Sequence, residues 1–387
     1  MKLVHRVPPR VFGLLLIVVA AVFAAQQLSV ILTDWIVPGM DYLPLRNAAT
    51  DLMHGASVFT DPLFVYPPTA AVLLLPLAFG SASAAFAGWV LAGVAALLLA
   101  ALLVARAAPR PHRLTVFGVA ALGLLGGIIG SRSLFLGNLS ELLVPAAVAI
   151  LLAFHRGRWT LGCALLAATL LMKPLLVPLL LVPLLHRQIR ALLVTMLPAG
   201  ALLLLAIALV PGGREFPHVL RYVAGGTNLH GANAVNNLSL RGWAEGQQVP
   251  HLVGVVAAAA VVAALLWRVG WAGGHRLSPI WLGNVLLLGT FLAGGISEVH
   301  FLLIADAGIL LFIVVHRLPS RIWLRFLPGL VLLALPPSYM DVLLGVRNDG
   351  QTWLVGAELL LFVALLATPV GGVRPAVRLR RAVAVPA

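Results

Sequence analysis

Two charged residues stand out for chemistry. Lys173, one of only two lysines in the chain, interrupts the apolar run LLMKPLLVPLLLVPLL (170–185) and is followed at once by Pro174. Asp41 follows the first apolar stretch, in PGMDYLPLRNAATDLMHG (38–55). A carboxylate that can take a proton and a cation that can neutralise an oxyanion suit a group transfer in which a hydroxyl attacks and an anion leaves. Each also has a plain role. Asp41 reads equally as a solvated loop acid or a helix N-cap, and a lysine at a helix end reaches out to headgroups.

Other polar residues cluster in a few short stretches. Arg132, Arg221 and Arg241 are further cations suited to a phosphate. LGNLSE (136–141) brings Asn138, Ser140 and Glu141, and GGISEVH (294–300) brings Glu298 and His300. NLHGANAVNNLSLRGWAEG (228–246) offers His230, Asn233, Asn236, Asn237 and Trp243, a set that suits sugar hydroxyls and a stacking ring face. In VYPPTA (65–70) the double proline fixes a turn and Tyr66 is expected at headgroup level. Asp51 and Asp61 read as ordinary surface acids.

The elements that must position these residues are membrane helices. The chain is 61% hydrophobic and 10% charged, against about 25% charged in a soluble domain. Apolar runs recur along nearly its whole length, which describes an all-α polytopic membrane protein. Twelve spans are expected near 11–33, 84–105, 114–130, 140–154, 159–172, 175–186, 191–210, 251–267, 278–295, 299–315, 323–337 and 352–371. The first is too long for a signal-peptide core and reads as an uncleaved helix. With the N-terminus inside, 19 of the 26 Lys and Arg fall in internal loops, as the positive-inside rule requires. None of the 12 acids does; Asp306 and Glu358 lie within spans, and the other ten face outward. The chemistry is therefore expected on the external face, with both termini cytoplasmic in the plasma membrane.

Residues 69–79 give only about 16 Å of helix and are expected to dip into the membrane without crossing. The whole of 1–387 reads as one integral domain. It has a first external loop at 34–68 carrying an interfacial amphipathic helix, a long external loop at 211–250 and a basic tail at 372–387. The glycines of GLLGGIIG (123–130) suit close helix packing. One cysteine excludes internal disulfides. There is no P-loop, no HExxH and no DxD, so an ATP-driven pump or a nucleotide-sugar enzyme is disfavoured. The net charge of +14 belongs to the membrane surface, not to nucleic acid.

These stretches, in order, resemble the GT-C superfamily of membrane glycosyltransferases, and within it glycosyltransferase family 87, with its actinobacterial polyprenyl-phosphate-mannose and polyprenyl-phosphate-arabinose enzymes. The residues that carry the resemblance are MDYLPLRNAATDLMHGASVF, FVYPPTAAVLLLPL, LFLGNLSELLVPAAVAILLAFHRGRW, LLMKPLLVPLLLVPLLHRQIRALL, LVPGGREFPHVLRYV and NNLSLRG, over about residues 40–245. The Lys-Pro, the Leu/Pro-rich helix after it and the NNLS loop look most like the arabinofuranosyltransferases that form α-(1→3) branches in mycobacterial arabinan. The resemblance implies that Asp41 is the general base and that Lys173 lies by the lipid phosphate. It places Asn138, Asn236 and Asn237 around the donor. GGISEVHF replaces a more aromatic stretch, and no C-terminal soluble domain of the kind some relatives carry is seen.

The implied enzyme is inverting. It would move arabinofuranose from a polyprenyl-phosphate donor to a glycan acceptor such as the arabinan of arabinogalactan or lipoarabinomannan, without nucleotide. A divalent metal is compatible with this chemistry but not demanded, since cationic side chains can do its work. Mannosyl transfer on the same scaffold is the near alternative. A flippase or transporter for a lipid-linked sugar would need polar residues across the midplane, and only Asp306 and Glu358 qualify. A non-catalytic envelope scaffold would leave Asp41 and Lys173 without purpose.

Overall fold

In an apolar medium every backbone N–H and C=O must find its partner within the segment, which leaves helices as the solution for a chain of this composition. The computed structural model describes residues 8–33, 39–224, 237–294, 297–334 and 350–368, with no strand among them. The α-helices run α1 (Pro9–Thr33), α2 (Tyr42–Met53), α3 (Pro68–Leu73), α4 (Ala82–Ala107), α5 (Arg113–Ala121), α6 (Ile128–Leu136), α7 (Ser140–His155), α8 (Trp159–Met172) and α9 (Leu181–Leu185). They continue with α10 (Ile189–Leu209), α11 (Phe216–Ala224), α12 (Leu240–Gly246), α13 (His251–Ala272), α14 (Pro279–Ala293), α15 (Leu302–His316), α16 (Ser320–Trp323), α17 (Leu327–Ala334) and α18 (Gly350–Leu366).

Among the described residues five helices are long and apolar enough to cross a membrane: Arg10–Leu32, Ala82–Ala107, Ile189–Leu209, His251–Trp271 and Val299–His316. A sixth crossing arises if Arg110–Gly126 and Ile129–Leu136, bent by 53°, form one span. The chain is a polytopic membrane protein. Four further expected spans coincide with α7, α8, α14 and α18, which are roughly 20–25 Å long, short of a ~30 Å hydrocarbon core. The expected span at 175–186 is the 3₁₀ stretch Pro174–Leu180 followed by the single turn of α9, because Pro174, Pro178 and Pro183 withhold amide donors. The expected span at 323–337 comprises α16 and α17 and then runs beyond the described residues. Twelve full-length crossings are thus more than these helix lengths account for.

The amphipathic helix expected after the first span forms as α2, with Leu45, Ala48 and Ala49 fully buried against the protein and Gly55 just past its end at φ +72°. Residues 69–79, expected to dip into the membrane, fall in the six-residue α3 and a 3₁₀ turn, Leu75–Ala78. The Arg46 guanidinium ties that turn to α2, donating to Leu77 O (3.2 Å) and Gly80 O (3.1 Å). The glycines at 123–130 do serve packing: a methyl on Gly127 would collide with the Leu333 carbonyl of α17, and one on Gly123 would lie 3.1 Å from Asp306 Oδ2.

Helix α7 is the central post, with Leu143, Val144, Ala147, Val148, Ile150 and Leu151 all buried. Helix α4 runs alongside in the same direction. Trp89 Nε1 donates to Gly137 O (2.8 Å), and one turn later Gly93 meets Glu141. Helix α15 is also parallel to α7, since His155 and His316 at their C-terminal ends face each other at 5.9 Å between ring centroids. Helix α8 returns antiparallel from the stacked pair Phe154–Trp159. Lys173 is therefore delivered to the end of the bundle where α7 and α15 begin.

Candidate active site

The site is built on a helix ending. Gly137 stops α6 in the left-handed conformation, φ +68°, which glycine adopts without strain; a methyl here would also meet Tyr42 Cβ at 2.8 Å. The end of a helix leaves carbonyls without intrahelical partners. Two of them, Phe135 O and Leu136 O, accept from Gly39 N (2.8 Å) and Asp41 N (3.0 Å). That pairing brings the turn carrying Asp41 against the turn carrying Asn138, 97 positions later in the chain.

Asn138 joins the two charged residues. Its Oδ1 accepts from the Ser140 amide (2.9 Å) and from Lys173 Nζ (3.0 Å), and its Nδ2 donates to Asp41 Oδ2 (2.7 Å). Two donors on one side and a carboxylate on the other fix the orientation of this amide. Asp41 occupies the N-cap position of α2 but makes no side-chain cap bond, so the plain N-cap role does not apply. Nor does Lys173 reach out to headgroups. Its ammonium turns inward and donates to Asn138 and to Ser140 Oγ (3.0 Å).

The third direction from Lys173 leads to His300 Nε2, 3.4 Å away, which also lies 2.9 Å from Glu298 Oε2. One ring nitrogen cannot donate to the carboxylate and accept from the ammonium at once. The shorter contact assigns the Nε2 proton to Glu298, and this leaves one Lys173 N–H without an acceptor. Burial pushes Glu298 up, but His300 and Lys173 outweigh it and hold the acid at about 2. Burial pushes the Lys173 pKa down, opposed by Glu298, Asp41 and Glu141. The rings of Phe301 and Tyr66 lie 5.0 and 5.5 Å from Nζ, within cation–π range. Tyr66 is buried at 5% exposure and does not project from the surface. Its phenol is raised well above 10, by burial first and then by Asp41, Glu298 and Glu141.

The structure thus gathers Asp41, Tyr66, Asn138, Lys173, Glu298 and His300. Asn237 supports the group from outside: its Oδ1 accepts from Ser239 N (3.0 Å) and Ser297 N (2.9 Å), next to Glu298. Trp243 turns to α18, donating to Thr352 Oγ1 (3.2 Å). Arg241 on α12 is half-buried, with its Nε enclosed and without a partner. Arg132 on α6 and Arg221 on α11 are exposed. His230, Asn233 and Asn236 lie outside the described residues. Asp61 is a surface acid as expected, accepting from Asn47 and Leu63 N.

Two further residues of LGNLSE belong to the site, beyond those that sequence reasoning gave a role. Ser140 is the second acceptor for Lys173, and buried Glu141 accepts from Ser133 Oγ (2.6 Å). The signal was present: residues 138–141 open a helix whose first turn carries an acid, so their polar groups share one end of it. Among the described residues no group of three or more His, Cys, Asp and Glu side chains is arranged to hold a metal ion.

The model of glycosyltransferase family 87 matches residues 64–295 of this chain. No curated protein and no solved structure matches it.

Proposed function

We propose, for a chain that belongs to glycosyltransferase family 87 and therefore transfers sugars, an inverting enzyme of GT-C type that uses a polyprenyl-phosphate sugar. The donor is polyprenyl-phosphate-arabinose, and the acceptor is a hydroxyl of a cell-envelope arabinan, giving an α-(1→3) branch. The observation that carries this reading is the relay Asp41–Asn138–Lys173, at 2.7 and 3.0 Å. It holds a carboxylate and a cation at a fixed separation on one rigid amide. The choice of arabinose rests on the Lys-Pro and Asn-Asn-Leu-Ser stretches of the sequence.

In this reading the acceptor oxygen attacks the anomeric carbon, Asp41 takes its proton, and the anomeric carbon–phosphate oxygen bond breaks through an oxocarbenium-like transition state. Charge grows on the departing phosphate and is met by the free N–H of Lys173. Three carboxylates, Asp41, Glu141 and Glu298, influence that one ammonium, so an anion bound there needs a second cation. Arg241, with its unpartnered Nε, is the one we assign. A single displacement by one base inverts the anomeric centre. Glu298, His300 and Tyr66 are left to contact sugar hydroxyls. The acid-bearing end of the bundle faces the outside of the plasma membrane, where lipid-linked donors replace nucleotide sugars.

The test is transfer by the purified chain from radiolabelled polyprenyl-phosphate-arabinose to a short arabinan, wild type beside Asp41→Asn, with the mannose donor in parallel. Loss of about 10²–10⁴ in rate with donor binding retained supports the base. Transfer from the mannose donor alone keeps the enzyme class and replaces the sugar. Full activity of Asp41→Asn removes the mechanism.

A further inference from the structure

Six of the 11 histidines are followed directly by arginine: His5-Arg6, His112-Arg113, His155-Arg156, His186-Arg187, His275-Arg276 and His316-Arg317. The five in described residues lie at helix ends or in the short turns beside them, and none takes part in the site around Lys173. Two pairs of them are assembled in space. His155 and His316 face each other where α7 and α15 end. Gly274 packs against Leu185, with a methyl on the glycine falling 3.3 Å from Leu185 Cβ, so His186-Arg187 and His275-Arg276 stand side by side. Helix α7 sets this end about 22–24 Å from Ser140 and the site.

The four arginines of the two pairs, Arg156, Arg187, Arg276 and Arg317, are all exposed. No aspartate or glutamate among the described residues occurs in the segments that form this end, 106–113, 155–159, 185–190, 268–278 and 316–325. The charge also has an apolar border. Beside the second pair Leu184 is 45%, Ile189 43% and Trp271 79% exposed. A soluble anion calls for an enclosed polar pocket. Guanidinium groups on an open rim, one turn from exposed leucine and tryptophan, match the boundary between phosphodiester headgroups and acyl chains.

We propose that the paired His-Arg ends 186–187 and 275–276 form a binding site for an anionic phospholipid headgroup, with Arg187 and Arg276 on its phosphodiester and Trp271 against its glycerol and acyl chain. The site is separate from the one that handles the sugar donor and serves the leaflet at the opposite end of the bundle. Nothing in it depends on which sugar is transferred.

The full chain, purified in detergent, would be offered equimolar phosphatidylglycerol and phosphatidylcholine, and retained lipid read by native mass spectrometry. Each surface arginine contributes about five-fold. The preference of the wild type for phosphatidylglycerol should therefore fall by about twenty-five-fold in Arg187→Gln/Arg276→Gln and be largely kept in Arg187→Lys/Arg276→Lys. An unchanged preference in the double Gln variant overturns the proposal. So does an equal loss in Arg214→Gln, an exposed arginine after α10, because any surface charge would then serve. Displacement of phosphatidylglycerol by inorganic phosphate at the same concentration would assign the site to a soluble anion and likewise overturn it. If the double Gln variant does not stay monodisperse, the wild type decides: a preference unaltered between low and high salt contradicts an electrostatic headgroup site.

Discussion

Replacing Asn138 by Asp changes one NH₂ for an oxygen and leaves shape intact, so it tests the relay with little disturbance. The new carboxylate would lie 2.7 Å from Asp41 Oδ2 and 3.0 Å from Lys173 Nζ. At an effective dielectric of 20 the first contact costs about 6 kcal/mol and the second returns about 5.5 kcal/mol. The two charge effects nearly cancel, and folding loses chiefly the bond that Nδ2 gave to Asp41, about 1.5–3 kcal/mol. Asn138→Asp should therefore fold, with a modestly lower Tm.

Function should suffer more than stability. Lys173 would already be neutralised by the introduced carboxylate, and a donor phosphate on the far side of the ammonium would sit roughly 6 Å from it, two hydrogen-bond lengths away. That repulsion is about 3 kcal/mol, on the order of a hundred-fold in donor affinity. Asp41 would also lose the amide donor that orients it, which lowers the transfer rate as well. Donor titration and transfer kinetics on the folded variant read both effects. A donor KM within about three-fold of wild type, in a variant whose Tm shows that it folds, would refute the claim that Lys173 meets the phosphate.

Three other expectations concern the parts that hold the relay. Gly137→Ala forces a left-handed residue and a 2.8 Å approach to Tyr42 Cβ. It should cost about 1–3 kcal/mol and depress kcat along with Tm, read by thermal unfolding and transfer rate. The Lys173 pKa is lowered by burial, so its ammonium is fully charged below that pKa and lost as pH rises through it. The alkaline limb of donor binding should accordingly lie below pH 10.5, and Lys173→Arg, charged throughout, should abolish that limb if it binds at all. Ser140→Ala deletes one of the two acceptors on Nζ and should lower donor affinity while moving the alkaline limb further down in pH. A purely structural serine would leave the limb where it is.

Much of this was legible in the sequence because it is local. The apolar face of α2 follows from the spacing of Leu45, Ala48 and Ala49. The short helix at Pro68–Leu73 follows from a segment too brief to cross, and the break at Lys173 from the proline after it. The segregation of acids from arginines follows from loop composition alone. The number of full crossings is less legible, because hydropathy registers apolar length and not helix continuity. Pro174, Pro178 and Pro183 leave residues 174–185 as apolar as a span, yet turn most of them into 3₁₀ helix.

What local pattern could not supply is which distant residues meet, and there the backbone decides. Asp41 and Lys173 share no periodicity and no motif. They are joined because α6 ends in a left-handed glycine whose neighbouring carbonyls capture the 39–41 turn, and because α8 runs antiparallel to α7 and ends level with Asn138. The same logic gives Asn138 and Asn237 a structural part that the sequence did not show. Both looked like sugar ligands, since a sugar needs donors and acceptors; so does a loop. Asn138 spends its amide on Asp41, Lys173 and Ser140, and Asn237 spends its oxygen on Ser239 and Ser297. An asparagine engaged on these sides has less left for hydroxyls, so in the proposed reading recognition of the sugar draws first on the groups at this end that still have capacity. These are the buried Nδ1 of His300, which has no partner, and the Tyr66 hydroxyl, while the unclaimed N–H of Lys173 is kept for the phosphate.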